Sequence, residues 1–200
     1  VGAARYLCGA LEAFPPSTVT AVVNVGDDVV LHGLHISPDL DTCTYTLAGA
    51  IDPERGWGLV NETWKAMAEL GRYGGDNWFG LGDRDLGTHL FRTARLHAGA
   101  SLTSVTAEIA TAWGLSCKLL PVTNQSVETR VTLTDGSEIG FQEYFVRLAH
   151  SVEVTGVRFD GADTSTVSRE ALDAIKSADG LVIAPSNPIV SIGPILAIPG

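Results

Sequence analysis

Four aspartates fall within VVNVGDDVVLHGLHISPDLDT, residues 22–42: Asp27 and Asp28 in GDD, Asp39 and Asp41 in PDLDT. Carboxylates are the ligands that a hard cation such as magnesium takes, often one or two of them beside waters and the phosphates of a substrate. Two acidic loops facing one crevice would supply that set. The same residues also have ordinary uses. Gly and Asp are common in turns, and aspartates in a first helical turn complement the helix dipole, each by about 0.3 to 1 kcal/mol at the surface. The residues alone leave both readings open.

Other stretches raise similar choices. His32 and His35 lack a third partner at recognised metal spacing, so packing or local hydrogen bonding is expected of them. In GLGDRDLGTHLFR, residues 80–92, Asp83 reads as a helix N-cap. Arg84, Asp85 and Arg92 form either a solvated face with intrahelical ion pairs or, with His89, one wall of a pocket for a polar ring. PSNPIVSIGP is a Pro-rich turn, or a helix start where Ser186, Asn187 and Ser191 offer donors to phosphate or carboxylate. VGAAR has a single glycine, Gly2, which suits a tight strand-to-helix turn as well as a phosphate cradle. FQEYFVR, 141–147, reads as a hairpin strand, with Gln142 and Arg147 as weaker ligand candidates.

The elements that must position these residues follow from periodicity. Residues 5–14 (RYLCGALEAF) have helical spacing and stop at Phe14-Pro15-Pro16. The run 18–25 (TVTAVVNV) reads as a buried parallel strand. A helix is expected over 38–48, with Ser37 as N-cap and Pro38 first. Amphipathic helices follow at 61–73, 83–97 and 101–113. Asp135-Gly136, between VETRVTLT and SEIGFQEYFV, is a hairpin signal. A helix over 169–178 and a buried strand over 180–185 (GLVIAP) then restore the α/β rhythm.

This order predicts one α/β domain over 1–200, Rossmann-like, with a doubly wound and mostly parallel sheet. A helical and β-hairpin subdomain spans 81–150, and ligands are expected in the crevice at the carboxyl ends of the strands. A Gly-containing turn entering a helix normally follows a strand, so a first strand is expected ahead of Val1 and the chain is read as a fragment.

Bulk properties narrow the classes. Hydrophobic residues make up 45% of 200, enough for a sizeable core. A net charge of −10 with no basic stripe argues against nucleic acid. Cys8, Cys43 and Cys117 are few, scattered and without CxxC spacing, as expected of reduced thiols in a cytoplasmic protein. No apolar run approaches the roughly eighteen residues that a bilayer span needs.

Taken in order, NVGDD, SPDLDT, YTLAG, GWG followed by ET, LGDRDLGTH, LLPVT, FQEYFVR and PSNPIVSIGPIL resemble the 2-phospho-L-lactate transferase family, whose bacterial branch is called phosphoenolpyruvate transferase. The resemblance implies a magnesium-requiring, homodimeric enzyme of deazaflavin coenzyme (coenzyme F-420) synthesis. Such enzymes move a phospholactyl or phosphoenolpyruvyl group from a guanosine-diphosphate-linked donor to the ribityl hydroxyl of 7,8-didemethyl-8-hydroxy-5-deazariboflavin, releasing GMP. Carried over by motif, Asp27, Asp28, Asp39 and Asp41 are the acidic positions for the metal, with Asp28 and Asp41 catalytic. Asp41, Thr42, Asp83, Arg84, His89 and Arg92 lie toward the deazaflavin, and Gly2, Ser186, Asn187 and Ser191 toward the donor phosphates. Two positions depart from the pattern: Ala3 replaces a glycine usual in close relatives, and Gly80 replaces a basic deazaflavin contact of archaeal members. The competing reading is a non-catalytic regulator that binds a nucleotide sugar on a related fold.

Overall fold

The computed structural model describes residues 2–200; Val1, the first residue of VGAAR, lies outside them. Helix α1 (Gly2–Ala13) ends ahead of Pro15-Pro16, where proline cannot continue a helix. Strand β1 (Thr20–Val23) follows. Strands β2 (Val29–Leu31) and β3 (Leu34–Ile36) form a tight antiparallel hairpin. Its two turn residues, His32 and Gly33, both have positive φ (54° and 76°), which matches the right-handed twist of paired strands. With three residues each, these strands are too short to show an alternating pattern.

Helix α2 (Pro38–Leu47) opens on a proline, as expected. Helix α3 (Lys65–Arg72) starts later than the expected residue 61, because Asn61 adopts left-handed backbone (φ 56°) that a helix cannot include. Helix α4 (Asp85–His97) and helix α5 (Leu102–Ala112) come next. Ser101 caps α5, its Oγ accepting from the Ser104 N–H at 3.1 Å. After strand β4 (Lys118–Pro121), strands β5 (Glu128–Leu133) and β6 (Glu138–Gly140) pair across Asp135-Gly136 as expected. Strand β7 (Val154–Asp160) pairs with β5 on its other side. Helix α6 (Arg169–Ser177) and the short helix α7 (Gly193–Ala197) complete the chain.

Strand β1 pairs in parallel with β4, register Ala21 to Leu119 and Val22 to Leu120, and the mixed α/β class stands. The larger core gathers Val23 and Val25 with Leu40 of α2, Leu102 of α5, and Leu119 and Val122 around β4. A second cluster joins Ile36, Met67 and Leu81, tying the β2–β3 hairpin to α3 and the segment before α4. The expected 81–150 unit contributes β4 to the same sheet as β1. Among the described residues, no helix is long and apolar enough to cross a membrane.

Two expected strands are corrected. The hairpin strand does not run through 141–147: β6 ends at Gly140, and Glu143–Arg147 is a π-helical turn. Helical winding stacks Phe141 on Phe145 (centroids 5.5 Å) and Phe145 on His150 (5.3 Å), contacts that a strand would forbid because its rise of about 3.3 Å per residue sets residues four apart about 13 Å from each other. Residues 180–185 form no strand, because no described strand lies beside them to complete a ladder. Leu181, Val182 and Ile183 are instead 68%, 70% and 73% exposed.

Candidate functional site

The GDD turn sits at the carboxyl end of β1 and is shaped by Asn24. Asn24 Oδ1 accepts from the Gly26 N–H at 2.8 Å, and Asn24 Nδ2 donates to Asp39 Oδ2 at 2.8 Å, joining the turn to the start of α2. The Gly26 carbonyl accepts from Thr129 N–H of β5 at 2.7 Å. Gln142 Nε2 donates to the Asp27 carbonyl at 3.3 Å, so the FQEYF segment is tied to the turn as well. Ser37 precedes Pro38 as expected but does not cap α2 with its side chain. Its hydroxyl donates to Asp28 Oδ2 at 2.7 Å, and the same oxygen meets His35 Nε2 at 3.1 Å. His35 thus bonds locally, while His32 lies in the hairpin turn.

These carboxylates are costly to ionise where they sit. Burial, then the charges of Asp39 and Asp28, push Asp27 well above the ordinary carboxylate range. Burial raises Asp28 against the pull of His35 and Ser37, and burial raises Asp39 against its hydrogen bond from Asn24. Asp27 Oδ1 and Asp28 Oδ1 are buried with no hydrogen-bond partner among the described residues.

Asp41 stands apart from that trio. It is one turn into α2 and faces α4, where the Arg92 guanidinium engages both carboxylate oxygens: Nη1 donates to Oδ2 at 3.1 Å and Nη2 pairs with Oδ1. His89 Nδ1 lies 3.7 Å from Asp41 Oδ2, and His89 Nε2 lies 3.3 Å from Asp85 Oδ2. Tyr45, one turn beyond Asp41, donates to Asp85 Oδ1 at 2.5 Å and also reaches Thr88 Oγ1 at 2.8 Å. Burial favours neutral Asp85, but His89, the Tyr45 hydrogen bond and the Arg92 charge together outweigh it and hold this carboxyl below the usual range. Burial raises the Tyr45 phenol, with the charges of Asp41 and Asp85 adding to it, so Tyr45 stays a donor.

The placement revises several expectations. A solvated face over 84–92 is overturned, since His89 and Arg92 are each 1% exposed. They lie beneath Asp41 rather than along an open wall. Asp83 is not the side-chain cap of α4. It accepts instead from Lys65 N–H (3.0 Å) and Ala66 N–H (2.9 Å) at the start of α3, and from the Thr63 hydroxyl. Arg84 is exposed, with Nη1 on the Val60 carbonyl at 2.6 Å. Thr42, half-buried, follows Asp41 on α2.

On the donor side, the backbone brings Gly2 against the 185–194 loop: a Cβ at Gly2 would lie 3.3 Å from the Pro185 carbonyl oxygen. Asn187 Oδ1 accepts from Ile189 N–H (2.9 Å) and Val190 N–H (3.1 Å), capping the π-helical turn Pro188–Ile192. Ser186 and Asn187 are exposed and Ser191 half-buried. Gly26 packs against Pro194 so closely that a Cβ would fall 2.7 Å from the proline Cβ, which seats the acidic turn on the start of α7.

Two cavities meet at Asp28. One, of about 160 Å³, runs from Asp27 and Asp28 between Trp78, Phe141 and Gln142 to Arg130. The other, of about 230 Å³, lies between Asp28, His35, Leu96 and the 124–127 loop. Among the described residues, Asp41, Asp85 and His89 bring one ligand atom each within 4.8 Å of one another, a group that could hold a metal ion. Asn24, Tyr45 and Trp78 escaped sequence reasoning. The i, i+4, i+7 spacing of Asp85, His89 and Arg92, which puts them on one helix face, was the available signal for the buried network.

An α/β fold with an acidic turn at the carboxyl end of a parallel strand, beside a helix start and a capped Pro-Ser-Asn loop, has the arrangement of open α/β folds, whose ligand crevice lies at the carboxyl ends of the strands. Residues 1–200 match the model of the 2-phospho-L-lactate transferase CofD family, and the chain belongs to that family. It is 52% identical over 207 residues to a phosphoenolpyruvate transferase of Nocardia farcinica, covering 100% of this chain and 62% of that protein. It is 49% identical over 215 residues to a phosphoenolpyruvate transferase of Mycolicibacterium smegmatis, covering 100% of this chain and 66% of that one. The chain therefore spans about two thirds of the length of these relatives. A crystal structure of a UPF0052 family member from Bacillus halodurans shares the fold, with TM-score 0.65 at 23% identity over 100% of this chain and 60% of that chain.

Proposed function

We propose that this chain carries the active site of a transferase of deazaflavin coenzyme (F-420) synthesis. It moves a phosphoenolpyruvyl or 2-phospholactyl group from a guanosine-diphosphate-linked donor to the ribityl hydroxyl of 7,8-didemethyl-8-hydroxy-5-deazariboflavin. The hydroxyl oxygen forms a bond to the phosphorus that bears the three-carbon group, the bond from that phosphorus to the bridging oxygen breaks, and GMP leaves. The acceptor loses its hydroxyl proton to a carboxylate, for which Asp28 and Asp41 are the candidates. In this reading the partners are two small molecules, and the protein works as a cytoplasmic homodimer.

The observation that carries the reading is the pair of orphaned carboxylate oxygens on Asp27 and Asp28. Buried acceptors with no donor are rare in folded proteins, and here they stand beside Asp39 in a turn already strained by like charge. A divalent cation is the partner that such oxygens fit, and Asp27, Asp28 and Asp39 would hold it. When bound, magnesium neutralises charge on a diphosphate. The chain's own residues do the rest. Gly2 and the 186–191 loop present backbone and side-chain donors to the donor phosphates. Trp78 and Phe141 offer aromatic walls for the planar deazaflavin beside the acidic turn. Asp41, Thr42 and Arg84 lie toward the acceptor side, with Asp83, His89 and Arg92 supporting them from behind.

Turnover tests this. The purified protein is mixed with the deazariboflavin, magnesium and each guanosine-linked donor in turn, and GMP release and product mass are followed. Product with one donor establishes the transferase and names its three-carbon group. Binding of a nucleotide sugar without product from either donor would overturn it in favour of the regulator.

A further inference from the structure

We infer that Arg92 is a positioning residue for Asp41 and that the Tyr45–Asp85–His89 chain fixes Arg92 in turn, so that none of these four touches the acceptor. The inference rests on the transferase reading of the site. Its basis is the geometry between α2 and α4. Two residues one helical turn apart on α2, Asp41 and Tyr45, meet Asp85, Thr88, His89 and Arg92, which share one face of α4, and His89 Nδ1 lies 3.3 Å from Arg92 Nη1. Arg92 and His89 are each 1% exposed and Asp41 is 5% exposed.

A bidentate guanidinium pair is the most directional contact a carboxylate makes, because the planar fork fixes both oxygens at once. Arg92 also donates to the His35 carbonyl at 3.4 Å, on the strand whose imidazole meets Asp28. The guanidinium therefore links the frame of the GDD turn to the carboxylate of the PDLDT helix. Burying an ion pair is weak evidence of stability, since well-packed apolar residues often serve as well, so its retention here fits a role in fixing geometry. Arg92 engages one lone-pair direction on each Asp41 oxygen and leaves the others for a hydroxyl. Arg92 lies behind Asp41, 1% exposed and with both terminal nitrogens on that carboxylate, so the acceptor contact that the family resemblance implies for Arg92 falls to Asp41 instead.

The test compares wild type with Arg92→Lys and Tyr45→Phe in melting temperature, kcat, and deazariboflavin affinity read from acceptor fluorescence. Lysine keeps the charge and loses the fork. Arg92→Lys is expected to stay folded and to bind the acceptor nearly as wild type, with kcat down about 100-fold, as misplacing a reacting group does. Tyr45→Phe removes one outer hydrogen bond and is expected to lower kcat about three- to tenfold at unchanged affinity. Wild-type kcat in folded Arg92→Lys overturns the inference, as does affinity lost in proportion to kcat, which is the mark of a direct contact. If Arg92→Lys does not fold, wild-type kcat in Tyr45→Phe overturns it alone. A wild-type protein with no turnover would instead sink the transferase reading itself.

Discussion

Glu62 and Asp83 cap each other's helix. The Glu62 carboxylate accepts from the N–H groups of Arg84 (2.7 Å) and Asp85 (3.2 Å) at the start of α4, while Asp83 accepts from Lys65 and Ala66 at the start of α3. Each supplies an acceptor to backbone donors that a helix start leaves unpaired. Gly82 makes the exchange possible, because a Cβ there would fall 2.0 Å from Glu62 Cγ.

Glu62→Ala is therefore expected to destabilise the protein by about 1 kcal/mol, as loss of a cap does. Gly82→Ala is expected to destabilise it further by driving Glu62 away. Asp83→Ala should lower the melting temperature while leaving acceptor affinity near wild type. Thermal unfolding and a fluorescence titration check all three; a large affinity loss at an unchanged melting temperature would return Asp83 to the substrate.

The acidic turn gives a pH dependence with a definite sign. Asp27, Asp28 and Asp39 are all raised above the ordinary value of 3.8, chiefly by burial. The folded state then binds more protons than the unfolded state above that pH, so stability of the ion-free protein falls as pH rises from 3.8 through the raised values. On the proposed assignment, magnesium would compete with those protons. Its stabilisation is expected to grow with pH and to approach about 2.7 kcal/mol at one hundred times its dissociation constant. Asp27→Asn should raise the ion-free melting temperature at neutral pH and weaken the magnesium response. Melting curves at acidic and neutral pH, with and without magnesium, decide it, and equal magnesium shifts at both would refute the assignment.

Trp78 tests the acceptor side. Its ring lines the same cavity as Asp27 and Phe141, and a favourable aromatic contact contributes about 0.5 to 1.5 kcal/mol. Trp78→Ala is expected to weaken deazariboflavin binding by about two- to twelvefold with donor affinity unchanged. Weakened donor binding alone would place the nucleotide, not the deazaflavin, in this cavity.

Legibility followed range. Helices with strong periodicity and caps, such as 101–113 with Ser101 or 169–178 before its strand-like run, were readable because their signals are local. The β2–β3 hairpin was not, since its His32-Gly33 turn is a weaker signal than the Asn-Gly or Asp-Gly pairs that usually mark a two-residue turn. Residues 180–185 have the composition of a buried strand, yet a strand also needs a neighbour, which lies elsewhere in sequence. The site divided in the same way. Residue types alone singled out the four aspartates, but their grouping was invisible. Only the packing of α2 on α4 shows that Asp41 belongs with Arg92, while Asn24 ties Asp39 to the GDD turn.

Gly26 is where fold and site are hardest to separate, and it supplies the sharpest substitution. A Cβ there would meet Pro194 Cβ at 2.7 Å, Pro194 Cγ at 2.9 Å and Thr129 Oγ1 at 2.9 Å. None of these is the loose end of a long side chain, so Gly26→Ala must push the acidic turn off α7 or off β5. Overpacking of this kind destabilises by about 1 to 3 kcal/mol. The displaced turn carries Asp27 and Asp28, and a shift near 1 Å is enough to cost about 100-fold in rate. Gly26→Ala is thus expected to remain folded at low temperature, to lose most of its turnover there, and to need more magnesium for what is left. Pro194→Gly removes both clashing proline carbons, Cβ and Cγ, so the double variant should recover part of the rate; a double variant no faster than Gly26→Ala would mean that Thr129, at the start of β5, is the contact that sets the turn.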